Sequence, residues 1–199
     1  MKILLASHNK GKIAELQALM HTVSPEIEVL SMSDIGFHDE IVEDGTTFAE
    51  NALIKSRTGA RLGYITVADD SGLMVDALGG APGVYSARYA GEECDNAKNN
   101  TKLLEELGDL PAEQRTAKFV SVVACSFPDG REDIVVHGEC KGSILTEYRG
   151  DGGFGYDPLF WYEPMQKTFA EMSGEEKNRI SHRGNAMQKF AEEFAKIKF

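Results

Sequence analysis

Cysteine, proline and tryptophan are sparse: three, six and one among 199 residues. Cys94, Cys125 and Cys140 lack CxxC spacing and leave an odd thiol, which excludes a disulfide framework and fits a reducing compartment. All three read as buried small hydrophobes. Long apolar runs are missing as well. The N-terminal run is about five residues, short of a signal-peptide core, and nothing approaches the ~20 residues of a membrane span. A cytoplasmic protein with no membrane partner is expected. Positive charge is also short, with 21 Lys+Arg against 32 Asp+Glu and a net charge of −11. Tracking DNA or RNA takes a basic surface, so nucleic-acid polymers are excluded as partners. A small phosphorylated ligand stays open, because a few local lysines can hold it and a metal can bridge it to acidic side chains.

Several catalytic signatures are absent too: no Gly-x-Ser-x-Gly elbow, no zinc spacing of His and Cys, and no GxGxxG after a strand. What is present is ordinary for a soluble globule, 42% hydrophobic and 27% charged. The length suits one domain, residues 1–199, divisible into two lobes. Ile3-Leu4-Leu5-Ala6 reads as a strand and Ile13, Leu16, Leu19 and Met20 as the apolar face of a helix. Thr47 to Leu62 reads as a second helix with Gly63 as its C-cap, on which Asn51 and Lys55 share a face. Tyr64 to Ala68 is a buried strand that stops at Asp69-Asp70-Ser71-Gly72. Asp95 to Leu107 is a helix ended by Gly108. Ala117 to Phe127 and Glu132 to Glu139 form a hairpin through Pro128-Asp129-Gly130, which makes the sheet mixed. Ser173 and Glu176 form a capping box, and the last helix buries Met187, Phe190, Phe194 and Ile197.

Candidate chemistry gathers at four places. Ser7-His8-Asn9-Lys10-Gly11-Lys12 lies between strand and helix, where unpaired N–H groups and the helix dipole attract anions. It fails as a P-loop, since Ala6 stands for the first Gly and Ile13 for the magnesium-binding hydroxyl, so a plain connection and a ligand loop both remain open. Asp69 and Asp70 sit at a strand end; on an extended chain they point to opposite sides, one facing a ligand and the other anchoring the loop. The alternative there is a simple turn. Glu43-Asp44-Gly45 precedes the helix carrying Lys55, either as a cap or as a carboxylate contribution to Mg²⁺, which takes only one or two protein carboxylates. Lastly, Gly152-Gly153-Phe154-Gly155 can admit a flat base, and Lys177, His182 and Arg183 flank a Ser-His-Arg-Gly corner.

The chain resembles the inosine triphosphate pyrophosphatase family nearly end to end. The likeness rests on Ser7-x-Asn9-x-Gly11-Lys12, Glu43-Asp44-Gly45-x-Thr47-Phe48-x-Glu50-Asn51-Ala52, Ala68-Asp69-Asp70-Ser71-Gly72-Leu73, the run Gly79 to Arg88, Gly153-Phe154-Gly155-Tyr156-Asp157-Pro158 and Ser181-His182-Arg183-Gly184. Each is weak alone, and all in order are specific. The resemblance implies an α/β fold of two lobes around an elongated twisted mixed sheet, a central nucleotide-binding cleft and a homodimer. It implies Mg²⁺-dependent cleavage of nonstandard purine nucleotides such as ITP, dITP and XTP to the monophosphate and pyrophosphate. On that pattern Ser7, His8, Asn9, Lys10, Gly11, Lys12 and Lys55 hold the triphosphate. Asp70 is the general base and, with Glu43, the metal ligand. Ser71, Phe154, Gly155, Tyr156, Asp157, Lys177, His182 and Arg183 line the nucleoside pocket, where Arg183, His182 or loop N–H groups donate to a 6-oxo purine. Two positions depart from the pattern: Ser7 with the larger His8 replaces Thr with a small residue, and Val42 stands where some relatives carry the metal-binding glutamate.

Two rival readings share parts of this pattern. A pyrophosphatase for modified pyrimidine nucleotides would keep the phosphate chemistry and change the base pocket. A catalytically silent nucleotide-binding protein would keep the fold without turnover, against which Asp70, Lys12 and Lys55 argue.

Overall fold

The computed structural model describes residues 1–197. Seven strands form one mixed sheet in the order β2-β1-β3-β4-β5-β6-β7: β1 (Lys2–Leu5), β2 (Glu28–Ser31), β3 (Ile65–Val75), β4 (Thr116–Ser126), β5 (Ile134–Ile144), β6 (Phe160–Tyr162) and β7 (Lys167–Thr168). β1 pairs in parallel with β2 and β3, whereas β6 pairs antiparallel with β5 and β7. Among the described residues there are five α-helices, α1 (Lys10–Val23), α2 (Phe48–Arg61), α3 (Asn96–Leu107), α4 (Gly174–Ile180) and α5 (His182–Phe194), besides short 3-10 turns. The mixed α/β class expected from the sequence is what the chain adopts.

The chain divides into two compact units. The first takes Met1–Asp70, Ser121–Gly138 and the C-terminal part of α5 from Asn185 onward; the second takes Ser71–Val120 and Glu139–Gly184. Each has its own core. In the first, Leu16 and Met20 of α1 and Phe190 and Phe194 of α5 pack on Ile3, Leu5, Val67 and Val123. In the second, Leu103 and Leu107 of α3 join Phe119, Phe160 and Phe169, whose rings lie 4.7–5.6 Å apart.

Local chemistry explains the elements that carry the site. The Asn9 side chain caps α1 by accepting from the N–H groups of Gly11 and Lys12. Thr47 and Glu50 close a reciprocal capping box on α2, and Leu62 with Gly63 at φ 93° ends it. Gly59 lets α2 lie close on β3: a Cβ there would meet Thr66 Oγ1 at 2.4 Å. That contact sets how near Lys55 and Asn51, about one and two turns earlier on α2, come to β3.

Three expectations need correction. β3 does not stop at Asp69-Asp70-Ser71-Gly72 but runs through them to Val75. Its continuation past β1 is held by β4, its other neighbour in the sheet, and at its end by Leu73 N donating to Ser86 Oγ at 2.9 Å and Val75 N to Ala81 O at 3.0 Å. β5 likewise continues past Glu139 to Ile144, because β6 pairs with its far end. Cys125 and Cys140 are buried as expected, with burial pushing the Cys140 thiol up to about 12, but Cys94 is exposed in a turn at φ 52°.

The α2 cap predicts a pH dependence. Glu50 accepts from Thr46 N, Thr46 Oγ1 and Thr47 N at 2.7–3.1 Å, which hold its carboxyl below its ordinary value of 4.5. A carboxyl lowered on folding stabilises the native state above the unfolded value, and that stabilisation is lost as pH falls through the native one. In urea unfolding, Glu50→Gln should therefore be less stable than wild type by a constant margin at neutral pH, and the margin should shrink below 4.5. A margin independent of pH would show that the charge contributes nothing.

Candidate active site

In the first unit β1 delivers the chain into the turn Ser7–Asn9, and β3 runs beside β1. Because successive side chains of a strand point to opposite faces, Asp69 and Asp70 diverge. Asp69, with a side chain 3% exposed, meets Lys12 Nζ at 2.8 Å in the first turn of α1. Asp70 turns to α2, where Asn51 Nδ2 donates to Oδ2 at 3.1 Å and Lys55 Nζ lies 3.9 Å from Oδ1. Lys55 Nζ also pairs with Glu43 Oε2 at 2.6 Å. Two helices thus bring one lysine each to carboxylates of the strand, and the loop before α2 adds a third acid.

Beside these pairs is a cavity of about 300 Å³ lined by Ser7, His8, Lys12, Glu43, Lys55 and Asp69, with Phe37 and residues 39–41 as another wall. Among its loop residues, Ser7 Oγ accepts from Asn9 N at 3.1 Å, and His8 Nδ1 is hydrogen-bonded to Ser33 Oγ at 3.0 Å. That bond answers what the larger His8 does: it ties the turn to the segment after β2. Lys10 is exposed at the start of α1. One expectation changes here. The Gly11 and Lys12 N–H groups at the N-terminus of α1 are taken by Asn9 Oδ1, at 2.9 and 3.2 Å, so anion attraction falls mainly to the lysines.

Could these residues hold a divalent cation? The carboxylates of Glu43 and Asp70 both reach one ammonium, that of Lys55, so two hard oxygen donors converge where a cation already sits. Among the described residues no group of three or more His, Cys, Asp or Glu comes together. Two carboxylates, with water and phosphate oxygens completing the shell, is the donor set of Mg²⁺ rather than of zinc. The residues fit that ion.

In the second unit, Ser71 follows Asp70 along β3. The loop after β5 holds Phe154 outward, its side chain among the most exposed apolar groups at 73%. Asp157, buried beneath it, accepts from Phe154 N at 2.8 Å and pairs with Lys177 Nζ at 2.5 Å. Lys177 Nζ in turn lies 5.0 Å from the Phe154 ring centroid, a cation–π contact. Gly153 must be glycine, since a Cβ would sit 2.1 Å from Asp157 Oδ2. Tyr156 points inward: its ring is buried and its hydroxyl, kept protonated by burial, donates to Ser86 O at 2.8 Å. The Phe154 N–H expected as a donor to a base is therefore already engaged by Asp157. His182 opens α5 and stacks on Phe119 at 4.7 Å and 14°, with Arg183 next to it. Gly184 allows this corner, because a Cβ there would lie 1.9 Å from Asn178 O.

Every candidate residue thus falls into one of two groups, one per unit. Asn51 was not singled out as a site residue, although its four-residue spacing from Lys55 was a usable signal, and Asp69 is the member of the acidic pair that turns to Lys12. Residues 37–41 gave none, having no periodicity.

Comparisons place these features in a family. The Ham1 family profile matches residues 3–193. A dITP/XTP pyrophosphatase of Leuconostoc mesenteroides is 53% identical over 191 residues, covering 94% of each chain. A HAM1 protein of Coxiella burnetii has the same fold with a TM-score of 0.92 at 40% identity, covering 99% of this chain and 100% of that one. The Staphylococcus aureus Ham1 protein superposes with a TM-score of 0.90 at 41% identity, covering 98% of both.

The Lys12–Asp69 pair makes a prediction of its own. Removing one partner of a buried pair leaves a charge without its counterion, whereas removing both charges is far milder. Lys12→Met should lower stability by about 1–3 kcal/mol, and adding Asp69→Asn should recover much of it. Strictly additive losses in a double-mutant cycle by chemical denaturation would contradict the pairing.

Proposed function

Since the chain belongs to the Ham1 family, we propose that it hydrolyses nonstandard purine nucleoside triphosphates, ITP, dITP and XTP, to the monophosphate and pyrophosphate. The observation that carries this reading is the convergence of Glu43 and Asp70 on Lys55, with Lys12 and Asp69 lining the same cavity. Support comes also from relatives named dITP/XTP pyrophosphatase. A cytoplasmic location, a homodimeric state and Mg²⁺ as the cation belong to the same reading and rest on the resemblance.

The chemistry asked of these residues is mainly electrostatic. Hydrolysis brings water to a phosphorus surrounded by negative oxygens, so charge must be offset and water oriented. Lys12 and Lys55 exchange their carboxylates for phosphate oxygens when the triphosphate arrives. Glu43 and Asp70 would hold the divalent ion, which when bound supplies further positive charge to the phosphate oxygens. Asp70 takes the proton of the attacking water while the new P–O bond forms, the α–β bridge breaks and pyrophosphate leaves. Asn51 fixes the carboxylate by donating to Oδ2. The nucleoside end falls to the second unit. There Phe154 offers an exposed ring for stacking, and His182 and Arg183 offer donors suited to a 6-oxo purine, which accepts where adenine donates.

Two measurements test this. Pyrophosphate release from ITP, XTP, dITP, GTP, ATP and dTTP, with and without Mg²⁺, should favour ITP over ATP by at least ~10² in kcat/KM, the scale at which unpaired polar groups are rejected. Equal values for ATP and ITP would sink the base-reading assignment; release from none would favour the silent binding protein, and preference for a pyrimidine would favour the other rival. Asp70→Asn should lose on the order of 10²–10⁴ in kcat, the range for removing a general base. Near-normal turnover would take Asp70 out of that role.

A further inference from the structure

The run Gly79 to Arg88 matched the family pattern, yet nothing in the proposed chemistry uses it. In the second unit it forms part of a closed polar network. Ser86 Oγ donates to Gly83 O at 2.6 Å and accepts from Leu73 N at 2.9 Å, fixing the stretch of β3 that follows Ser71. Ser86 O accepts from Tyr156 OH at 2.8 Å. Two neighbouring residues of α3 hold the same loops: Asn99 Nδ2 donates to Ala87 O and Asn99 Oδ1 accepts from Ala90 N, at 2.8 and 2.7 Å, while Asn100 Nδ2 donates to Gly155 O at 2.9 Å.

Gly155 is the residue between outward Phe154 and inward Tyr156, and its backbone is left-handed at φ 60°. In that conformation the direction of its carbonyl decides whether the chain can present Phe154 to one side and seat Tyr156 on the other. The carbonyl is held by the side chain of Asn100, which is 3% exposed. Its Oδ1 is buried and reaches no donor among the described residues. An amide buried with its acceptor unmet is unfavourable for folding, and an apolar side chain would serve the core of α3 better. Stability therefore does not account for an asparagine at this position, whereas control of the Gly155 carbonyl does.

We propose that Asn100 is a positioning residue for purine recognition: through Gly155, with Tyr156 seated on Ser86 as the second anchor, it holds Phe154 where a base would stack. The proposal deepens the pyrophosphatase reading and rests on it for the word purine. The ligand class is the flat heteroaromatic base; stacking on Phe154 is open to any base, so the 6-oxo preference assigned to His182 and Arg183 is left in place. Asn100 itself touches no substrate, so its loss should weaken base binding and leave the phosphate chemistry of the first unit unchanged.

The test is Asn100→Ala, with Tyr156→Phe as a companion that keeps the ring and removes only the hydroxyl. Steady-state rates on ITP and ATP should show KM raised roughly tenfold for both, with kcat for each within about threefold of wild type. Amide hydrogen exchange of the nucleotide-free protein should be at least about tenfold faster at Phe154 in either variant, a local release rather than global opening. A parallel fall of kcat for ITP and ATP with KM unchanged, or unchanged exchange at Phe154, would overturn the proposal. If wild type shows no preference for ITP over ATP, the functional reading fails, while exchange at Phe154 still decides whether Asn100 holds the loop. Should Asn100→Ala fail to fold, Tyr156→Phe decides by the same readouts.

Discussion

Everything in the first unit's site depends on β3 continuing as a strand through Asp69 and Asp70. Only an extended backbone sends adjacent carboxylates to opposite faces, and only then can α1 and α2 each supply one lysine. Had the chain turned at Asp69, both acids would have pointed into the same loop and repelled each other. The strand survives two acids, a serine and a glycine because β3 lies in the sheet between β1 and β4, and the Ala81 to Ser86 segment adds hydrogen bonds at Leu73 and Val75. Gly59, by letting α2 lie against Thr66, completes the constraint.

These ion pairs are poor candidates for simple stabilisation. Desolvating a lysine and a carboxylate costs several kcal/mol per ion, and their attraction does little more than offset it. Their geometry makes sense as a state awaiting exchange: each lysine is neutralised by protein until phosphate oxygens replace the carboxylate. Lys55 lies between Glu43 and Asp70, where two hard oxygen donors converge. On the proposed function a lysine and a divalent cation would be alternatives at that point, which would couple cation and phosphate entry.

Much of this was legible in the sequence, for reasons that are local. Thr47, Asp95 and Ser173 are caps, and each begins a helix where its side chain dictates. Gly108 and the Pro128-Asp129-Gly130 turn were equally direct. What escaped was set by partners distant in the chain. Asp-Asp-Ser-Gly has turn composition, and it is strand because β3 is paired in the sheet with β4, a partner far along the chain. Tyr156 and Asp157 read as base contacts because they sit beside Phe154, but burial turns them into its supports. Asn9 read as a phosphate ligand, yet its oxygen closes the helix end that would have bound the anion.

A protein of net charge −11 must still admit a polyanion. Surface charges act over a Debye length of about 8 Å at physiological salt, so the global charge is felt weakly inside a cavity, and the local groups decide. Here those groups are Lys12 and Lys55 against Asp39, Glu40, Glu43 and Asp69, with Asp70 beside Lys55, an excess of three negative charges. Lysines alone therefore cannot offset a triphosphate, and the acidic surplus makes sense only if a cation enters with it. The carboxylates that would oppose binding in a purely lysine-based site become, with a cation present, the means of binding. Acidic composition and phosphate chemistry are then one design, in which the protein supplies the negative half of a site whose positive half arrives with the substrate.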